Sequence, residues 1–248
     1  KTPNEMQSRD WSSDVCSSDL DTDRGQAPLK RTSESRHMTA KTIGVIQVKG
    51  GAGRSTLSTN LAGELSRLGR TVLIDCDMPQ GTSASWFALR DQVGKAGNLV
   101  LDTASTHREL VEKVQQYSDA TYIVLDGPPR IAELTRAILI LADACLIPVG
   151  ASAAEIWATT DILALIKEAE KVKPITARMV WTRYRSFTKL AKELSDAAQD
   201  QLGLAALQTT LGLRVSYPDA LGSGLTAAEV ADQSSRYEVR ELADEVAA

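Results

Sequence analysis

The sequence predicts an α/β fold, a mostly parallel sheet with helices on both faces in three layers, and three observations predict it. Short apolar runs alternate along the chain with longer stretches of helical spacing. Two of those runs end in aspartate. The first run feeds a glycine-rich turn, KGGAGRST at Lys49–Thr56, that opens a helix.

Each element follows from its residues. Thr42–Val48 (TIGVIQV) is a β-branched run, so a strand is expected there. From Ser55 to Leu68, the spacing of Leu57, Leu61, Leu65 and Leu68 predicts a helix. Thr71–Asp75 (TVLID) and Tyr122–Asp126 (YIVLD) are two further strands, each ending in acid. Ala144–Val149 and Ala177–Trp181 complete five expected strands, with helices expected over Ala153–Val172 and Thr188–Leu202. In such sheets ligands bind beyond the carboxyl ends of the strands. The turn at 49–55, Asp75, Asp77 and Asp126 all fall at those ends.

The first 37 residues differ from the rest: they are rich in Ser, Asp, Arg and Thr and have no apolar period. Back-translated, Asp10–Leu20 resembles a common sequencing adapter read as coding. Residues 1–37 are therefore expected to be an artefactual, disordered leader, with a natural start at or near Met38 and one domain over 38–248. That body carries 22 basic against 25 acidic residues, so overall charge names no partner. Cys76 and Cys145 sit in apolar runs without C-x-x-C spacing and read as buried thiols of a reducing cytoplasm. No apolar run reaches the ~18 residues of a membrane span.

A strand, a glycine-rich turn and a helix place backbone N–H groups around an anion at a positive helix end. Gly50, Gly51, Ala52, Gly53, Arg54, Ser55 and Thr56 are the candidate nucleotide-binding residues. Ser55 holds the position whose hydroxyl ligates Mg²⁺ in a G-x-x-x-x-G-K-[ST] loop, and Asp75 and Asp126 are the candidate acids of the same metal site. Arg54 stands where that loop carries lysine. Arginine keeps the charge and can grip phosphate bidentately, but its planar fork is bulkier than an ammonium. Losing one transition-state contact costs about 3–4 kcal/mol in comparable sites, roughly a few hundred-fold in rate.

The segments VKGGAGRST, VLIDCDMPQGTSASW and YIVLDGPPRIAELTRAILILADACLIPV together resemble the deviant Walker A ATPases of the ParA/MinD group, specifically small ParF-type cargo-positioning proteins. The resemblance spans about residues 41–245. GTSASW and GASAAEIWATTD are similar to the branch that spaces carboxysomes, with plasmid and chromosome segregation close behind. It implies a P-loop fold, ATP and Mg²⁺ as cofactors, and an ATP-dependent homodimer in which Lys49 reaches the partner's nucleotide. It implies that Asp77 positions the attacking water, making Lys49, Arg54 and Asp77 the catalytic set, with Gln80 and Gly81 in the switch that follows. Met78 departs from the usual spacing of that switch. The resemblance also implies binding to non-specific DNA, a separate cargo adaptor that stimulates hydrolysis, and a cytoplasmic, nucleoid-associated location.

Eight basic residues against two acids lie between Lys167 and Lys192, an excess suited to a phosphate backbone. Arg183, Arg185 and Lys189, with Arg214 in a later loop, are the candidate DNA contacts. Tyr237–Ala248 carries four acids and one arginine, unlike a membrane-anchoring basic helix. The contrasting reading is an ATP-binding dimerisation switch with little hydrolysis that regulates a secretion or polysaccharide machine without DNA.

Overall fold

In the computed structural model, β1 (Lys41–Val45) lies at the centre of a six-stranded sheet. The described residues are 40–248 apart from 79, 131–132, 186–192 and 194–200. The strands β2 (Thr71–Asp75), β3 (Leu99–Thr103), β4 (Tyr122–Asp126), β5 (Ala144–Gly150) and β6 (Ala177–Thr182) complete the sheet in the order β3-β2-β4-β1-β5-β6. All five strand pairings are parallel. The fold class expected from the sequence is the one observed.

Alternation along the strands sorts the core into two layers. Val72, Ile74, Ile123, Leu125 and Ile147 face one side, against Leu110 of α3 (His107–Gln116), Ile138 of α4 (Glu133–Leu141) and Ile162 of α5 (Ala153–Ala169). Ile43, Val45, Leu73, Val124 and Leu146 face the other, against Leu57 and Leu61 of α1 (Arg54–Leu65) and Trp86 of α2 (Thr82–Gln92). Tyr217 of α6 (Ser216–Gly222) and Val239 and Leu242 of α7 (Gln233–Ala247) join this second layer.

Register then places the acids. Val45 pairs with Asp126, and Asp75 pairs with Asp126, so the two carboxylates end adjacent strands at one level. Asp75 and Asp126 lie two residues beyond Leu73 and Val124, and so share the α1 side of the sheet.

Two sequence expectations change. β1 ends at Val45 rather than Val48, because the chain after it leaves the sheet to form the glycine-rich loop. β3 was not expected. It is an edge strand with Val100 exposed and only Leu99 fully buried, so its apolar signal is weak. Most of the helix expected over Thr188–Leu202 lies outside the described residues.

Trp86 fastens α2 to the second layer. Its ring is 1% exposed, its Nε1 donates to the Leu225 carbonyl at 2.9 Å, and the Arg90 guanidinium lies 5.2 Å from its centre. Arg90 in turn pairs with Glu229 at 2.7 Å. Trp86→Ala is expected to cost about 3–5 kcal/mol by cavity formation, read as a lower urea midpoint with an unchanged denaturant slope.

Candidate functional site

The loop after β1 is held from below by Gln47. Its Nε2 donates to the Pro148 carbonyl and the Thr159 hydroxyl, each at 3.2 Å, and its Oε1 accepts the Val48 N–H at 2.9 Å. Gly51 and Gly53 have φ of 75° and 95°, a region where a Cβ would be strained, so the loop needs glycine at both. Ala52 is buried, and its carbonyl accepts the Thr182 hydroxyl at 3.0 Å, tying the loop to the end of β6. Helix α1 then starts at Arg54 without a side-chain N-cap and without an acid in its first turn. Its positive end is left to an external anion. A cleft of about 460 Å³ opens there, lined by Gly50, Gly51, Gly53, Ser55, Thr56 and Asp77 among others.

Two acids lie buried behind Ser55, which lines this cleft. Asp126 is fully buried and accepts the hydroxyls of Ser83 at 2.7 Å and Ser58 at 3.0 Å, with Ser55 as a third donor. Burial raises its pKa from 3.8 to about 6, and the neighbouring Asp75 adds to the rise. Asp75 is also fully buried. Its Oδ1 accepts the Asp77 N–H at 2.9 Å and its Oδ2 the Ala84 N–H at 3.0 Å, which shapes the segment leading into α2. Among the described residues neither acid has a basic partner. Asp126 and the Ser55 hydroxyl offer hard oxygen donors, and the buried Asp75 beside them adds negative charge, which together fit Mg²⁺.

Arg54 is where the structure departs most from the sequence expectation. The side chain is 8% exposed and runs beneath the loop. Nε donates to the Gly127 carbonyl at 3.0 Å, and Nη1 to the carbonyls of Gln47 at 2.6 Å and Lys49 at 3.1 Å. Nη2 lies 3.6 Å from Asp77 Oδ2. A guanidinium has five donors in a fixed fork, and here three bonds to carbonyls hold that fork under the loop. Arg54 staples the loop to the end of β4 and faces the acid of the following turn. That turn closes through the Gly81 N–H on the Asp77 carbonyl at 2.9 Å, with Met78 exposed on it.

Lys49 is the loop's other cation. Its Nζ stands 3.9 Å from Glu155 Oε1, and the side chain is 38% exposed. Arg183 also pairs with Glu155, through the same oxygen. Glu155 was missed by the sequence reading. The signal was available in Ser152-x-x-Glu155, the spacing by which a helix-capping acid is recognised.

The candidate DNA contacts do not form one stripe. Arg183 holds Glu155, and Arg214 holds Glu238 through Nε at 2.9 Å and Nη2 at 2.6 Å. Arg185 is exposed, and Lys189 lies outside the described residues. The basic excess is also split by topology. Lys167 ends α5 and Lys173 donates to the Ala142 carbonyl before β5, whereas Arg183 and Arg185 follow the opposite end of β6. Arg183 and Arg214 instead line a mostly apolar recess of about 280 Å³ that borders Gly51, Gly53 and Thr56. Cys76 and Cys145 are buried free thiols: burial and nearby carboxylates raise the Cys76 thiol, and burial pushes Cys145 up to about 12.

Comparison with known proteins agrees with this geometry. A family profile described as an AAA domain matches residues 40–116, which include the loop and β2. The chain is 28% identical over 212 residues to maintenance of carboxysome distribution protein A of Halothiobacillus neapolitanus, covering 84% of this chain and 96% of that protein. It is 27% identical to the chromosome-partitioning ATPase Soj of Thermus thermophilus, covering 83% and 95%. The fold superposes on a variant of Cyanothece McdA in complex with ATP with a TM-score of 0.70 at 18% identity, covering 84% of this chain and 96% of that one. The chain is thus similar in sequence to carboxysome-distribution and chromosome-partitioning proteins and shares the parallel-sheet fold of the McdA structure.

The raised pKa of Asp126 has a sign that can be tested. A carboxyl whose folded pKa exceeds its unfolded value is most favourable to folding at low pH, and that contribution is lost as pH rises through about 4 to 6. Asp126→Asn keeps the shape and removes the buried charge. The variant is expected to be more stable than the parent by about 2–3 kcal/mol at pH 8 and nearly equal to it at pH 4. Urea melts of the metal-free protein at the two pH values measure the difference.

Proposed function

We propose that this chain is a ParA-like ATPase that dimerises on ATP, binds DNA without sequence preference and hydrolyses ATP slowly to position a cargo. The observation that carries the reading is the uncapped start of α1 beside two buried acids that have no basic partner among the described residues. A nucleotide triphosphate with Mg²⁺ supplies the anion that the helix end lacks and the cation that the acids lack. The apolar recess beside Gly51 and Gly53 is open to the base of such a nucleotide.

In this reading Gly50 to Thr56 cradle the phosphates through their N–H groups. Ser55 and Asp126 hold the metal, directly or through its water, and Asp75 fixes the turn that carries Asp77. Mg²⁺ supplies charge neutralisation on the phosphate oxygens when bound. Asp77 borders the cleft at its open edge and orients water there. The Arg54 side chain supports the loop from beneath, so the transition-state contact usually made by lysine at this position is weakened. Lys49 completes the site from a second subunit. The similarity to carboxysome-distribution and chromosome-partitioning proteins supports a mobile cargo, an adaptor that stimulates turnover and a nucleoid track in the cytoplasm. Among the described residues no helix is long and apolar enough to cross a membrane. Residues 38–248 serve as one such domain.

Arg54→Lys separates the two roles of that position. An ammonium cannot replace the guanidinium's three carbonyl bonds, so stability is expected to fall by about 1–3 kcal/mol. Phosphate release is expected to rise, by up to roughly a few hundred-fold. Unchanged turnover together with absent nucleotide binding would mark the site as a relic. Binding to a random-sequence duplex should require ATP and should weaken steeply between two salt concentrations. ATP-dependent dimerisation without such binding at low salt would instead favour a switch that works without DNA.

A further inference from the structure

The carboxyl ends of β1, β5 and β6 lie side by side, and the segments that follow them contribute to one ion cluster around a mostly buried carboxylate. Glu155 is in the first turn of α5, which follows the middle strand of the three. Its carboxylate is 11% exposed and turns back over the start of its own helix, where Oε2 accepts the Gly150 N–H at 2.7 Å. Ser152, the N-cap, makes no side-chain cap, so Glu155 serves the strand end instead of closing a capping box. A Cβ at Gly150 would come within 2.6 Å of Oε2, so any side chain there would displace the carboxylate. The place for this charge is built in.

Oε1 collects two cations. Arg183 comes from the residue after β6, and it is the one non-glycine among the described residues with positive φ, at 51°. Backbone in that region is strained and persists only where other contacts hold it. Lys49 comes from the loop after β1, and at 3.9 Å, beyond hydrogen-bond distance, it is the looser partner.

We infer that Glu155 parks the Lys49 ammonium in the nucleotide-free subunit, and that Arg183 is the reserve counter-ion that lets Lys49 leave. The inference rests on the reading of this site as one for a nucleotide, and adds how access to its lysine is controlled. A buried carboxylate that loses its only cation is costly. With Arg183 bound to the same oxygen, Lys49 moves to a phosphate while Glu155 stays neutralised. Arg183 therefore acts through Glu155 on the nucleotide loop, and both are positioning residues.

The test has two arms. In nucleotide-free protein, the rate at which an amine-acylating reagent modifies Lys49 is followed by mass spectrometry. Glu155→Gln, whose amide oxygen still accepts from Gly150, should raise that rate several-fold. An unchanged rate overturns the parking contact, whatever the protein binds. In the second arm, affinity for a fluorescent ATP analogue with Mg²⁺ is measured. Glu155→Gln should tighten binding about three- to tenfold, Arg183→Ala should weaken it by a similar factor, and Lys49→Ala should abolish both effects. Effects that persist in the Lys49→Ala background mean a change in cleft shape and overturn the gate. No binding by the parent overturns the nucleotide reading while the labelling arm still decides the contact. Thermal melts confirm folding, and should Glu155→Gln fail to fold, Arg183→Ala carries both arms: it should slow Lys49 labelling, and an unchanged or faster rate overturns the proposal.

Discussion

The buried guanidinium of Arg54 is the constraint on which the rest of the site depends. Among the described residues it alone bonds through its side chain both to the chain leaving β1, at Gln47 and Lys49, and to the chain leaving β4, at Gly127. Those two strands are neighbours in the sheet. The phosphate loop and the acid-bearing edge are therefore fastened together by a charged group rather than by packing. Its remaining nitrogen, Nη2, faces Asp77 at 3.6 Å, which extends the same staple to the turn before α2. An ammonium has one nitrogen and cannot span these points at once. What looks in sequence like a damaged loop is, in structure, a loop braced from beneath.

That brace redistributes charge within the cleft. Arg54 compensates Asp77, and Arg183 with Lys49 compensates Glu155, while Asp75 and Asp126 share only hydroxyls and backbone N–H groups. The uncompensated pair therefore lies on the α1 side of the sheet, beneath the uncapped helix end. A tightly paired site of this kind would resist an anion unless some cation could exchange partners. The looser Lys49–Glu155 contact is where that exchange is easiest, because the second cation already holds the acid.

Most of the fold was legible because its strands are buried on both faces. Such strands read as continuous apolar runs, and five of six announced themselves that way. The sixth, Leu99–Thr103, pairs on one side only and is mostly part-exposed, so its apolar signal was too weak to announce it. The glycines and acids of the site were legible too, since φ, helix ends and strand ends each demand particular residue types. The direction of a long side chain was not. Arg54 read as a cation for the loop's own phosphate and Lys49 as one for the partner's nucleotide, yet the first bonds to backbone carbonyls of the loop and the second turns to a neighbouring helix. Rotamer and partner are decided by carbonyls that only the folded backbone brings near.

The same reasoning changes what the basic residues near β6 can do. Arg183 and Arg214 were read as groups for a phosphate backbone, but each spends its charge on a carboxylate close to the loop. Engaging DNA directly would first require releasing Glu155 or Glu238, each mostly buried, and leaving it without its arginine. Arg183 is therefore better placed to sense the nucleotide than to hold a duplex. Under the proposed function, a DNA surface then draws on other cations, or forms when two subunits meet and these pairs are exchanged. In the second case, occupancy of the nucleotide cleft and affinity for DNA are coupled through shared counter-ions, because the arginines that leave their carboxylates are the ones beside the loop.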